Sequence, residues 1–141
     1  MRIHVIGVLL FAIAAVLPAD TLLMVSDVRK LVDQTMDQIR GGDCQAGMYT
    51  LGKVSTLSQE KLDATLSSIK SQLAYIDSQY GNIVGIEFID QVQIGNSLIR
   101  IRQLEKRNSY AMALSFWFYN NGFGWVLTNM DWNDKLKDLF P

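Results

Sequence analysis

Carboxylates, phenols and guanidinium groups are the chemistry this chain has to work with, because imidazole and thiol are almost absent. Its 141 residues include one histidine and one cysteine. His4 stands in the N-terminal leader, so beyond it Ser-His-Asp and Cys-His catalysis lack a base, and an imidazole metal site lacks its ligand. Cys44 is alone, which rules out an internal disulfide framework or a thiolate cluster. Its expected state is a partly buried, inert thiol, with a reactive thiol or an intermolecular bridge as the alternative. No metal and no cofactor is expected. The weak catalytic candidates are Asp90, Tyr75 and Tyr119, with Tyr110 as a further hydroxyl. Asp90 continues the apolar series Val84, Ile86, Phe88, where burial raises a carboxylate's pKa toward that of a general base; the competing account is a bulge that turns it to solvent. Arg100 and Arg102 project from the same side of one segment, a spacing that can clamp an anionic ligand or simply decorate a solvated face. Trp117 and Trp125 complete the binding candidates. Asn129 and Asp131, in step with Trp125 and Leu127, are candidates for a pocket mouth or a polar edge.

Periodicity identifies the elements that must position these groups. From Thr21 to Arg40, Met24, Val28, Leu31, Thr35, Met36 and Ile39 recur at three- and four-residue spacing, which predicts an amphipathic helix. It stops at Gly41-Gly42, and Asp43 can cap a short second helix through Met48 and Leu51. The glycine step is a helix stop and restart rather than a phosphate loop. A third helix runs from a Ser58 cap to Gly81, with Leu62, Leu66, Ile69, Leu73, Ile76 and Tyr80 as its stripe, too short for a coiled coil and suited to packing on a sheet.

Beyond Gly81 the period changes to two. The first strand places Val84, Ile86, Phe88, Val92 and Ile94 on one face, with Gly85 or Asp90 marking a bulge. The second alternates Ile99 and Ile101 with Arg100 and Arg102. The third puts Met112, Leu114, Phe116 and Phe118 opposite Ala113, Ser115, Trp117 and Tyr119, and NNGFG turns it into the fourth. The segment DKLKDLF closes the chain as a short helix or tail. Helices segregated from an antiparallel meander predict an α+β fold of one domain over residues 20–141. Trp117 and Tyr119 leave the sheet's second face apolar, so a homodimer through that face is expected, with the tail folding over it as the rival.

Residues 1–19 read as a secretory signal peptide: Arg2, an apolar run from Val5 to Leu17, then Pro18-Ala19. The run has 13 residues, where about 20 cross a bilayer, so no stable membrane span is expected after cleavage and the mature domain is periplasmic or secreted. The formal net charge of −1 argues against nucleic acid as a partner.

The pieces IRGGDCQAGM, LSSIKSQLAYIDSQYGNIVGIEFI and ALSFWFYNNGFGWVLTNMDW, taken in order, resemble nuclear-transport-factor-2-like domains, and more narrowly small uncharacterised bacterial exported proteins of that superfamily. The resemblance implies a cone-shaped, cystatin-like roll: a curved four-stranded sheet wrapped around the long helix, an open end that often serves as a pocket, and frequently a dimer. It implies no particular reaction. The functional expectation is a non-enzymatic exported binding or assembly module with an apolar cleft for a small apolar or anionic ligand. The alternatives are a cofactor-free isomerase or dehydratase using a carboxylate base and a Tyr donor, and a module tethered by an uncleaved signal.

Overall fold

The computed structural model describes residues 21–141, so the signal peptide read over residues 1–19 lies outside the described residues. Three helices precede four strands: α1 (Val25–Arg40), α2 (Cys44–Gly52), α3 (Gln59–Tyr80), β1 (Ile83–Ile94), β2 (Leu98–Arg107), β3 (Ala111–Asn120) and β4 (Trp125–Asn133), followed by a helical turn, Leu136–Leu139. The strands form one antiparallel sheet in the order β1-β2-β3-β4. This is the α+β architecture that the change of period predicts, and the sheet is open rather than closed into a barrel.

Each helix is bounded as its end residues dictate. Asp27 in the first turn of α1 accepts a hydrogen bond from the Met24 N–H at 3.0 Å. Asp43 Oδ1 accepts from the Ala46 N–H at 2.9 Å at the start of α2, and Ser58 Oγ from the Lys61 N–H at 3.3 Å at the start of α3. These side chains satisfy amides that a helix leaves unpaired in its first turn. α1 buries Val28, Val32, Thr35, Met36 and Ile39. Val32 takes the inward place that the sequence reading gave to Leu31, and Met24 remains exposed. The α3 stripe buries Ile69 and Ile76 outright, with Leu66, Leu73 and Tyr80 packed at the margin of the same core.

The helices cover one face of the sheet. Ile99 and Ile101 of β2, Met112, Leu114, Phe116 and Phe118 of β3, and Trp125 and Leu127 of β4 share a core with α1 and α2. Phe116 and Phe118 are fully buried, each contributing about 1.5–3 kcal/mol relative to leaving it exposed. The first half of β4, at the sheet edge, is closed by two segments from the helical half. The Leu22 carbonyl accepts from the Trp125 N–H at 2.7 Å, and the Val54 carbonyl accepts from the Leu127 N–H at 3.0 Å. Pairing there removes open edge groups that would otherwise recruit another strand.

Irregularities in the ladder decide which way the side chains point. The β1/β2 pairing slips between Ile83 and Gly85 and again between Phe88 and Asp90. The second slip inserts Ile89 as an extra residue, so Ile86 and Phe88 stay on the helix side while Asp90, Val92 and Ile94 move to the outer side. The expectation that Val84, Ile86, Phe88, Val92 and Ile94 share one face is therefore corrected. A third slip, between Trp117 and Phe118 against β4, does the same to the last strand. Trp125 and Leu127 face the core, whereas Asn129 and Asp131 pair with Trp117 and Ser115 on the outer face.

Candidate functional site

The outer face gathers most of the residues singled out by type. Asp90 lies opposite Arg102 and one pair away from Arg100. Arg102 Nε donates to Asp90 Oδ1 at 2.9 Å, its second nitrogen donates to Oδ2, and Arg100 Nη2 stands 3.6 Å from the same Oδ2. The Arg102 hydrogen bond holds the Asp90 carboxyl below its ordinary pKa, outweighing a smaller opposing effect of burial. The expected raised pKa is thus reversed: the bulge carries Asp90 out of the apolar interior and onto two guanidinium groups, which favour its ionised form. A carboxylate held in its ionised form by two guanidinium groups is a poor general base. The same contact occupies the proposed anion clamp, because Arg102 spends its bidentate fork on Asp90.

The tyrosines do not converge on Asp90. Tyr75 is 65% exposed on α3, on the helix side of the sheet, and Tyr119 is 44% exposed near the end of β3. Tyr80 and Tyr110 pack together, 5.0 Å between ring centroids, and donate to Asp134 Oδ2 at 2.9 Å and to the Asp134 carbonyl at 3.4 Å. These bonds anchor the C-terminal segment. Trp117 is half-buried on the outer face, and Trp125, expected to bind, is 4% exposed in the core. The catalytic set that sequence reasoning assembled is dispersed over two faces of the sheet.

The helix-side face holds a second charged group. Glu105 and Arg107 are buried on β2, and Arg107 also donates to Asp77 of α3 and to the Gly81 carbonyl at 2.9 Å. Burial pushes the Glu105 carboxyl above its usual pKa against the opposing pull of Arg107. Glu105 borders a cavity of about 20 Å³ with Cys44, Met48, Ile69, Leu73, Leu114, Met130 and Trp132. That space is far smaller than the few hundred Å³ of a ligand pocket, so the interior is filled by the protein's own side chains. Cys44 is half-buried there, and burial pushes its thiol up, which disfavours the reactive thiolate. The alternation that puts Ile99 and Ile101 inward also carries Gln103, Glu105 and Arg107 inward. This signal is present in IRIRQLEKR, where the same two-residue period runs on from Ile99 to Arg107.

A groove with room for a ligand lies between α2 and α3. About 640 Å³ in volume, it is lined by Ala46, Met48, Gly52, Leu62 and Leu66 together with Asp43, Gln45, Tyr49, Lys53, Gln59 and Asp63. Its two helices run antiparallel and approach each other at two places. At one, Gly52 comes so close to Leu62 that an added Cβ would lie 3.0 Å from Leu62 Cδ1. At the other, Lys70 Nζ donates to Gln45 Oε1 at 3.3 Å. Between these contacts Met48 and Leu66 supply apolar lining. Tyr49 is 67% exposed on the α2 wall with the Lys53 ammonium 5.1 Å from its ring centroid, and Gln59 Nε2 donates to Asp63 Oδ1 at 2.9 Å on the opposite wall. No motif announces this site. Its residues are ordinary helix-surface types, made into a groove only by the way two helices separate. Among the described residues no group of three or more His, Cys, Asp or Glu side chains is arranged to hold a metal ion, and no helix is long and apolar enough to cross a membrane.

In comparisons with known proteins, no family model matches this chain, and neither a curated protein nor a solved structure shows a significant match.

Proposed function

We propose that this domain is an exported, non-enzymatic binding module whose cleft is the α2–α3 groove, taking an amphipathic ligand with its apolar part on Met48 and Leu66. The observation that carries the reading is the groove itself, with Met48, Leu62 and Leu66 among its apolar lining and Asp43, Lys53 and Asp63 among its charged lining. Its volume lies in the range of small-molecule and peptide-side-chain sites. Tyr49 adds a large amphipathic contact surface that loses little rotamer freedom on binding. The filled interior and the dispersed Asp90, Tyr75 and Tyr119 leave the isomerase or dehydratase reading without a working acid–base pair. Export is supported by the basic start and short apolar run of residues 1–19. Kinship with nuclear-transport-factor-2-like domains is part of the proposal and rests on the sequence resemblance alone.

The test uses anilinonaphthalene sulfonate, an amphipathic anion that brightens in apolar sites. The native protein should bind it, and Ala46→Trp, which fills the groove from the α2 wall, should weaken binding by roughly tenfold or more without lowering the thermal midpoint. Equal binding by a folded Ala46→Trp variant would move the site elsewhere and overturn the reading.

A further inference from the structure

We infer that Asn121 is a modification site: in the folded protein its carboxamide is converted to a carboxylate by ring closure onto the Gly122 amide, with the β3–β4 turn supplying donors for the charge that develops. Asn121-Gly122 is the one Asn-Gly step in the chain. A glycine after asparagine leaves the next amide nitrogen open to the side chain, because no Cβ stands beside it. Both residues are exposed, Gly122 has φ at 92°, and a Cβ built on it would meet nothing within 4 Å. Water therefore reaches this peptide freely.

The turn itself holds the carboxamide in place. The chain must reverse between Asn120 and Trp125, and Asn121 assists by accepting on Oδ1 from the Phe123 N–H at 2.9 Å and from the Gly124 N–H at 3.1 Å. These bonds fold the side chain toward the residues that follow it, which puts Cγ on the side of the Gly122 nitrogen. They also set two donors on the oxygen that gains negative charge when that nitrogen attacks. Donors about 2.7–3.1 Å from a developing oxyanion are the arrangement that stabilises tetrahedral intermediates of acyl transfer. The other asparagines followed by a small residue are Asn96 and Asn108, each before a serine. Asn108 Oδ1 accepts instead from the Asn82 N–H at 2.8 Å, which draws its carboxamide toward the start of β1.

Water is the only co-reactant. Hydroxide removes the Gly122 N–H proton, the nitrogen forms a bond to Cγ, and the carbonyl electron pair moves onto Oδ1. Collapse of that oxyanion breaks the Cγ–Nδ2 bond, and Nδ2 leaves as ammonia with a proton taken from water. A second water opens the cyclic imide, giving aspartate when it adds at Cγ and isoaspartate when it adds at the backbone carbonyl. One contact opposes the first step: the Gly122 N–H donates to Asn120 Oδ1 at 3.0 Å, which holds the proton that must leave. The aspartate product keeps both bonds from Phe123 and Gly124, now strengthened by its charge. It places one negative charge in a stretch, residues 108–130, that otherwise has no Asp, Glu, Lys or Arg.

The experiment incubates the protein at mildly alkaline pH in isotopically labelled water and follows each asparagine by peptide mass spectrometry. Label should enter at position 121 ahead of Asn96 and Asn108, and at least as fast in the folded protein as in the same chain unfolded in urea. Isoaspartate should appear beside aspartate, since only the imide yields it. No label at 121 in the folded protein, earlier label at 96 or 108, a folded rate below the unfolded one, or aspartate alone each overturns the inference. Asn120→Ala, checked for an unchanged thermal midpoint, frees the Gly122 N–H and should raise the rate several-fold. An unchanged or slower rate in that folded variant refutes attack by the Gly122 nitrogen from this turn.

Discussion

Glu105 and Arg107 stand two positions apart on β2 and join on the buried face of the sheet, where Arg107 Nε donates to Glu105 Oε1 at 2.6 Å and each side chain is 1% exposed. The pair links β2 to the end of α3 through Asp77 and the Gly81 carbonyl. Two groups that are expensive to desolvate therefore sit where a sheet ordinarily places apolar residues. They are tolerable there because each supplies the other's counter-charge.

Removing one partner should expose that dependence. Arg107→Met leaves Glu105 buried without its counter-charge and should cost about 3–5 kcal/mol at neutral pH. The direction with pH follows from the raised Glu105 pKa. A carboxyl whose folded pKa exceeds its unfolded value favours the folded state below the unfolded value, and that advantage disappears as pH rises through the folded one. Loss of Arg107 raises the folded value further, so the deficit should be greatest near neutrality and shrink on acidification. Urea titrations of both proteins over a pH series measure it, and a deficit independent of pH would show that packing, not charge, is what Arg107 provides.

Asp90 should behave with the opposite sign. Its folded pKa is lowered by Arg102, so its contribution is present above the unfolded carboxylate value and is lost as pH falls through the folded one. Asp90→Asn should cost no more than about 1 kcal/mol near pH 7, because the cluster is partly open to solvent and screened. The variant and native stabilities should converge in acid. Denaturant midpoints at neutral and acidic pH give the comparison; a gap that widens in acid would contradict the lowered pKa.

Gly81 should resist substitution more than its exposed surroundings suggest. It ends α3 with φ at 79°, a conformation costly for a residue with a side chain. A Cβ there would also fall 2.6 Å from Asn108 Oδ1, the atom that accepts the Asn82 N–H at 2.8 Å. Gly81→Ala should therefore lower stability by about 1 kcal/mol or more. Adding Asn108→Ala should recover only the steric share, leaving the backbone strain. Thermal midpoints of the two variants separate these contributions, and a neutral Gly81→Ala would show that the α3–β1 junction is looser than its geometry indicates.

Much of the architecture is legible in particular residues. Asp43 and Ser58 cap α2 and α3 as their types and positions predict, because a short side-chain oxygen before an apolar stripe has few better partners than the free amides ahead of it. Phe116 and Phe118 are buried opposite Trp117 because a strand alternates its faces without exception between bulges. The site was less legible. The outward bulge at Asp90 was one of two readings that the alternation left open, whereas Asn129 and Asp131 were placed on the face of Trp125 because a single extra residue, Thr128 in β4, inverts every face beyond it.

The sequence by itself determined where helices give way to strands, which residues cap and end them, and that no histidine-based chemistry operates beyond His4. These follow from local rules, in which a residue's neighbours along the chain decide its backbone. Tertiary structure alone decided that Asp90 meets Arg102, that Glu105 and Arg107 share a buried face, and that α2 and α3 part to leave a groove between Tyr49 and Asp63. Each of these depends on the register of one element against another, a relation fixed by the packing of the whole core.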